Sequence, residues 1–334
     1  MKLAVVAMLR NETDIVGMFL QHLDAFFDYA VLMDHGSSDG TDRALAAACA
    51  ARPGWTMWHL EPFGYHQTTF NAFALRSLME RTDADWVMFL DADEFIHVAD
   101  RAAFEAALSA VTDPDHVAHV RWRNAVPDRL DPRALVPGEP IWLPPDDSPF
   151  GKVIIPRAFY QRHGHEAKLA IGNHGVYYTA ENIVPSDDIG DLIHVPVRSS
   201  AQIRTKIVAG VFSIMAQAVR ERVQGKHWFS IMDRMADGTL RDEDLIGIAT
   251  RYGEDGSTHQ PISRDELRAK GFELAPLTVP FGRDFVGSAE PTWIDPVQLI
   301  ATILRHYRVE DAHNNDLEVV DGNRVRFVPK QPPA

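Results

Sequence analysis

A single cysteine, Cys49, excludes an internal disulfide and a thiolate zinc cage, and makes a reducing compartment the expected setting. Basic residues are outnumbered, 33 Lys and Arg against 47 Asp and Glu, for a formal net charge of −14. That balance argues against a broad nucleic-acid footprint, because affinity for phosphate backbones comes from clustered Lys and Arg. No apolar run approaches the roughly 18 residues of a membrane span. The Gly-x-Gly-x-x-Gly dinucleotide fingerprint, the glycine-rich Walker loop and internal repeats are all absent from the sequence. The opening stretch, Met1 to Arg10, is only briefly apolar before Arg10-Asn11-Glu12 and reads as a first strand rather than a secretory signal. A soluble, cytoplasmic protein is expected.

With 46% apolar residues in 334, the chain can bury a substantial core in one large domain or two smaller ones. Its first ninety-odd residues alternate in pattern. Leu3 to Met8, Tyr29 to Met33, Thr56 to Leu60 and Trp86 to Leu90 read as strands, with Ile15 to Phe27, Asp42 to Ala51 and Thr68 to Arg81 as the helices between them. Such alternation predicts an α/β fold with a mostly parallel sheet covered on both faces. Ligands of such sheets sit beyond the strands' carboxyl ends. Seven prolines between Val126 and Pro149 then predict a long loop. Lys152 to Phe159 reads as a strand, Gly172 to Tyr178 as a weaker one, and Ser199 to Gln224 as one amphipathic helix. Pro329 to Ala334 reads as a frayed end.

Three polar loops fall at the expected crevice: Arg10-Asn11-Glu12, Asp34-His35-Gly36-Ser37-Ser38-Asp39 and Asp91-Ala92-Asp93. In extended chain residues i and i+2 point the same way, so Asp91 and Asp93 are expected to converge on one hard cation that grips a diphosphate. The Arg10 guanidinium offers a fork to phosphate or carboxylate. Asn11, with Asp14 three residues on, is expected to cap the first helix. Asp34 and its neighbours are placed to receive the base and ribose of a nucleotide. Among His163, His165, His174 and His194, either His174 or His194 could complete a metal shell.

Taken together, Arg10-Asn11-Glu12, Asp34-His-Gly-Ser-Ser-Asp-Gly-Thr and Trp86-Val-Met-Phe-Leu-Asp-Ala-Asp-Glu-Phe resemble family-2-type glycosyltransferases, in the branch with an Asp-x-Asp-Glu-Phe ending. Gly151-Lys-Val-Ile-Ile-Pro-Arg, Gly172-Asn-His and His194-Val-Pro-Val-Arg-Ser with Lys206 are similar to later motifs of that branch. The resemblance spans roughly residues 1 to 210. It implies a GT-A-type, Rossmann-like sheet with a nucleotide-sugar half (1–125), an acceptor-side half (126–198) and a largely helical C-terminal extension (199–334). It also implies Mn²⁺ or Mg²⁺ at Asp91, Asp93 and His194, with His174 as the alternative. The donor, of UDP or GDP type, would be lined by Met8, Arg10, Asn11, Glu12, Asp34, His35, Ser37, Gln67, Asn71, Asp91 and Ala92. Many relatives carry an acidic residue where this chain has His35, which leaves the base open. The implied reaction inverts the sugar as a hydroxyl acceptor attacks it. Asp147, Glu166, Asp187 and Asp188 are the candidate bases. The same crevice could serve a sugar-phosphate nucleotidyltransferase, although Arg10-Asn11-Glu12 does not resemble the glycine-rich basic loop of those enzymes. A non-catalytic nucleotide-sugar-binding protein is the third reading, and intact Asp91 and Asp93 count against it.

Overall fold

A computed structural model describes the chain except residues 180, 219–224, 242, 255–258, 288–290, 293–295, 307–309, 311, 313 and 331–334. The alternating half forms as its pattern dictates: β1 (Leu3–Leu9), α1 (Val16–Phe26), β2 (Tyr29–Asp34), α2 (Thr41–Ala51), β3 (Trp55–Leu60), α3 (Gln67–Arg81) and β4 (Trp86–Phe89). Side chains alternate across β1 and divide the core. Leu3, Val5, Ala7 and Leu9 pack with α1 and α2, while Ala4 and Val6 pack with Phe70, Ala74 and Leu78 of α3. Burial on both faces is why these strands read as continuous apolar runs.

The neighbours β3, β2, β1 and β4 pair in parallel, in that order. Beyond β4 the sheet is mixed. Strand Gly151–Pro156 lies antiparallel to β4 and to β6 (Val117–Asn124), strand Ser186–His194 lies parallel to β6, and β5 (Glu94–His97) closes that edge. This is the α/β, GT-A-like arrangement expected, antiparallel strands included. The chain thus leaves β4 mid-sheet and by Glu94 is paired with His194 near the far edge. The intervening turn, Leu90 to Asp93, crosses the carboxyl end of the sheet and carries the acidic motif there.

Several expectations need correction. The proline-rich segment is not wholly irregular, because Val126–Pro127 and Pro140–Leu143 pair with each other and the latter pairs with Glu273–Pro276. Strand Gly151–Pro156 stops at its proline, and α5 (Arg157–His163) follows α4 (Arg101–Ser109) as the next helix in the chain. The long helix is α6 (Ser200–Met215), started by Ser199, whose hydroxyl accepts the Gln202 amide, and residues 219–224 of the predicted span lie outside the described residues. The expected frayed end also lies outside them, apart from Pro329, which ends a strand, and Lys330. The C-terminal part is helical through α7 (Lys226–Ala236), α8 (Asp244–Thr250), α9 (Arg264–Ala269) and α10 (Pro296–His306), yet its last hairpin, Asn315–Val320 with Arg324–Pro329, extends the central sheet beside β3. No described helix is long and apolar enough to cross a membrane.

Candidate active site

A cavity of about 480 Å³ lies over the carboxyl ends of β1 and β4, where the chain direction through the sheet reverses. Residues Met8 to Glu12 and Asp91 to Asp93 line it from the sheet, and α6 and α7 close over it with Lys206, Gly210 and Trp228.

The acidic motif works differently from its expected form. β4 ends at Phe89, so Asp91-Ala92-Asp93 is a turn and the strand rule for i and i+2 does not apply. The two carboxylates have different partners. Asp91 Oδ2 accepts from Lys152 Nζ at 2.7 Å, and Lys152 also lies 3.3 Å from the buried Glu94. Asp93, 1% exposed, accepts from Lys206 Nζ at 2.6 Å, with Arg198 Nη1 at 3.6 Å and His194 Nε2 at 3.7 Å. Burial alone would raise the Asp93 carboxyl, but the Lys206 ammonium and the Arg198 guanidinium hold it well below the usual carboxylate range. Glu94 has no second cation, and burial pushes its carboxyl up despite Lys152.

Among the described residues no group of three or more His, Cys, Asp or Glu is arranged to hold a metal. One pair has the right chemistry. Asn124 donates its amide N–H to the Tyr252 carbonyl, which turns its oxygen to His194 Nδ1 at 2.8 Å. His194 therefore carries its proton on Nδ1, and its Nε2 lone pair faces Asp93 Oδ1, two acceptors with no proton between them. An orienting partner on the far nitrogen is the usual support of a metal-binding histidine. A hard cation bound by one carboxylate and one imidazole would take its remaining ligands from substrate phosphates and water. Asp93 and His194 thus fit the implied ion. Asp91 is turned to Lys152 instead, and His174 donates Nδ1–H to the Gly151 carbonyl at 2.6 Å.

Arg198 ties the β1 loop to this centre. Its guanidinium, 2% exposed, bonds Asp14 through Nε at 2.6 Å and Nη2 at 2.9 Å, and also bonds Glu12. Asp14 is thereby an ion-pair partner rather than part of a helix cap. The expected cap at Asn11 is not formed: α1 starts at Val16, and Asn11 sits in the left-handed region (φ 57°), its amide donating to Ser37 Oγ and its Oδ1 accepting from Ser38 N–H.

Arg10 makes no surface ion pair. Its guanidinium lies 4.4 Å from the centre of the Phe63 ring, and its Nε and Nη1 are buried without a hydrogen-bond partner. Burial pushes it down to about 10 against the pull of Asp34, so it remains a cation at neutral pH. Asn11 Nδ2 is likewise buried and unpartnered. Both residues line the cavity, as do Met8, Glu12, His35, Gln67, Asp91 and Ala92. His35 is buried, its Nε2 is 3.1 Å from the Pro62 carbonyl, and burial, helped by Arg10, pushes it down to about 3, so the ring is neutral. Three other expected donor residues stand behind this lining. Asp34 accepts from the Ser37 amide at 3.1 Å, and Asn71 donates to Asn173 at 3.0 Å.

None of the candidate bases is among the residues that line the cavity. Asp187 and Asp188 begin the strand that ends at His194, which puts them roughly 20 Å away at about 3.3 Å per residue. There they pair with His116 at 3.1 Å and with His119 at 2.9 Å. Glu166 and Asp147 are exposed and outside the lining. Among the described residues, the carboxylates that do line it are Glu12, Asp91, Asp93 and Glu254. Sequence reasoning gave no role to Lys152, Arg198, Asn124 or Tyr252. A lysine directly before the apolar run Val153-Ile154-Ile155 was the one local signal among them, since a lysine at the start of a buried strand must be paired when buried.

No family model matches the chain, and no curated protein matches it. Among solved structures it is similar to the mannosyltransferase PcManGT from Pyrobaculum calidifontis in complex with GDP-Man and Mn²⁺, at a TM-score of 0.35 and 16% identity over 64% of this chain and 63% of that one. It is also similar to S. aureus TarS, at 0.36 and 12% over 99% of this chain and 59% of that one, and to TarS 1–349, at 0.35 and 12% over 99% and 97%. The chain therefore spans less than two thirds of the length of the first two.

Proposed function

We propose that the protein transfers a glycosyl group from a nucleotide-diphosphate sugar to an acceptor hydroxyl, with inversion and with a divalent cation. The observation that carries this reading is the Arg10 guanidinium, buried at the switch point of the sheet with two nitrogens unbonded, in one cavity with Lys206 and the facing Asp93–His194 pair. A buried cation with unmade hydrogen bonds is costly unless an anionic ligand completes them. A diphosphate supplies that charge and several acceptors. His35, beside Arg10, and Gln67, in the same lining, would border the nucleoside.

When bound at Asp93 and His194, Mn²⁺ or Mg²⁺ would offset the charge growing on the departing diphosphate, worth several kcal/mol for such ions. Lys206 and Arg198 keep Asp93 ionised for that task, and Arg10 holds the phosphates. Asp91 is held by the buried Lys152, so Glu254, which lines the cavity and pairs with the exposed Arg251, is the carboxylate we assign to take the acceptor's proton.

A thermal-shift panel of UDP- and GDP-sugars, run with Mn²⁺ and with chelator, tests the reading. We expect stabilisation by one nucleotide class, lost with chelator; no shift for any member sinks it. Release of free nucleoside diphosphate on turnover separates an enzyme from a binding protein. Asp93→Asn, its folding checked by circular dichroism, should lose at least 10²-fold in transfer, roughly the scale of removing an electrostatic catalytic group.

A further inference from the structure

We propose that the wall built by α6 and α7 is a sugar-ring platform, with Trp228 as its flat surface and His227 as its hydrogen-bonding rim, and that the acceptor is a carbohydrate. This rests on the glycosyl-transfer reading above and names the acceptor class for it. Trp228 is held by three independent contacts. A Cβ on Gly210 would come within 2.5 Å of indole Cε3 and Cζ3, so glycine at that position lets the indole lie against α6. Indole Nε1–H donates to the Tyr252 hydroxyl at 3.0 Å. The Tyr65 ring meets the indole edge-on, centroids 5.4 Å apart and planes at 68°.

All four residues line the cavity, and the indole is only partly buried. A fixed aromatic face suits a pyranose, whose axial C–H groups meet the negative π face while its hydroxyls point outward and need partners. His227 meets that need. It lines the same cavity, and its Nε2 is buried with no hydrogen-bond partner. Burial pushes the imidazole down to about 4, so it is neutral and can serve a hydroxyl. An alkyl acceptor would leave that nitrogen unpaired, at the cost of an unmade buried hydrogen bond. The platform also adjoins the reacting centre, since Lys206 Nζ lies 5.4 Å from the Tyr252 ring and holds Asp93.

The test is tryptophan fluorescence of the whole chain, titrated with methyl glycopyranosides and disaccharides of the gluco, galacto and manno series, and with n-decanol. We expect at least one saccharide to change the emission of the wild type. Its binding should weaken about tenfold or more in Trp228→Leu, Gly210→Ala and His227→Phe, each checked for folding by circular dichroism. Should Trp228→Leu not fold, the other two variants decide. The proposal is overturned if no saccharide binds, if folded variants bind saccharide as the wild type does, or if decanol binds in place of saccharide. Donor stabilisation without saccharide binding refutes this proposal alone. Saccharide binding without donor stabilisation refutes the glycosyl-transfer reading and with it the acceptor role, leaving Trp228 and His227 as a saccharide site only.

Discussion

Arg198 joins Asp14, Glu12 and Asp93, three buried carboxylates from two distant loops, and no such grouping is legible in its local sequence. Removing one member of a buried ion network leaves the others uncompensated, so Arg198→Met should lower unfolding free energy by about 3–5 kcal/mol in urea titration. Because the network is shielded from solvent, added salt should change that loss little. At this scale the sequence identified Asp91 and Asp93 as a special pair but misjudged their geometry. The strand rule needs extended backbone, and the chain turns after Phe89. His194 was named for the metal from resemblance. Its Asn124 support could not be, because β6 and the strand ending at His194 meet only in the folded sheet.

Among the elements, the strand Gly151–Pro156 sets the sheet's change from parallel to antiparallel and delivers Lys152 to Asp91. Its first residue has no room for a side chain: a Cβ on Gly151 would run into the Val120 carbonyl oxygen and the His119 ring of β6. Gly151→Ala should therefore cost about 1–3 kcal/mol, as overpacking of a close-packed site does, read as a drop in urea midpoint. Donor-dependent stabilisation should weaken with it, since the Gly151 carbonyl also fixes His174 and the neighbouring Lys152 pairs with Asp91. The alternating elements through β4 were legible to within one residue, because burial on both faces writes an uninterrupted apolar run. Later elements were less so. Pro156 ends its strand and starts α5, a boundary that the continuing apolar pattern to Phe159 conceals.

For the molecule as a whole, buried neutral histidines set the response to acid. His22 is the clearest case because it is fully buried and does not line the cavity. Nδ1 donates to the Pro280 carbonyl at 2.9 Å, Nε2 accepts the Ile96 amide at 2.8 Å, and Phe26, Phe95 and Phe281 surround the ring. Burial pushes it down to about 4 from 6.5, against the hydrogen bond to Pro280. A depressed folded value means that the unfolded chain binds the proton first. The stability that His22 contributes is thus full above pH 6.5 and is lost as pH falls toward 4, at about 1.4 kcal/mol per pH unit for one proton. Urea midpoints at pH 7, 6 and 5 should show this slope, and His22→Phe should flatten it by about one proton. An unchanged slope in that variant would remove His22 from the account. By itself the sequence determined the α/β class, the parallel half of the sheet and the edge where the polar loops and the cavity lie, since apolar period and loop polarity are local properties. Only the tertiary structure decided which charges meet there. Lys152, Arg198, Lys206 and the candidate bases take their roles from strand order and strand direction, and a carboxylate's partner is set by where distant strands end.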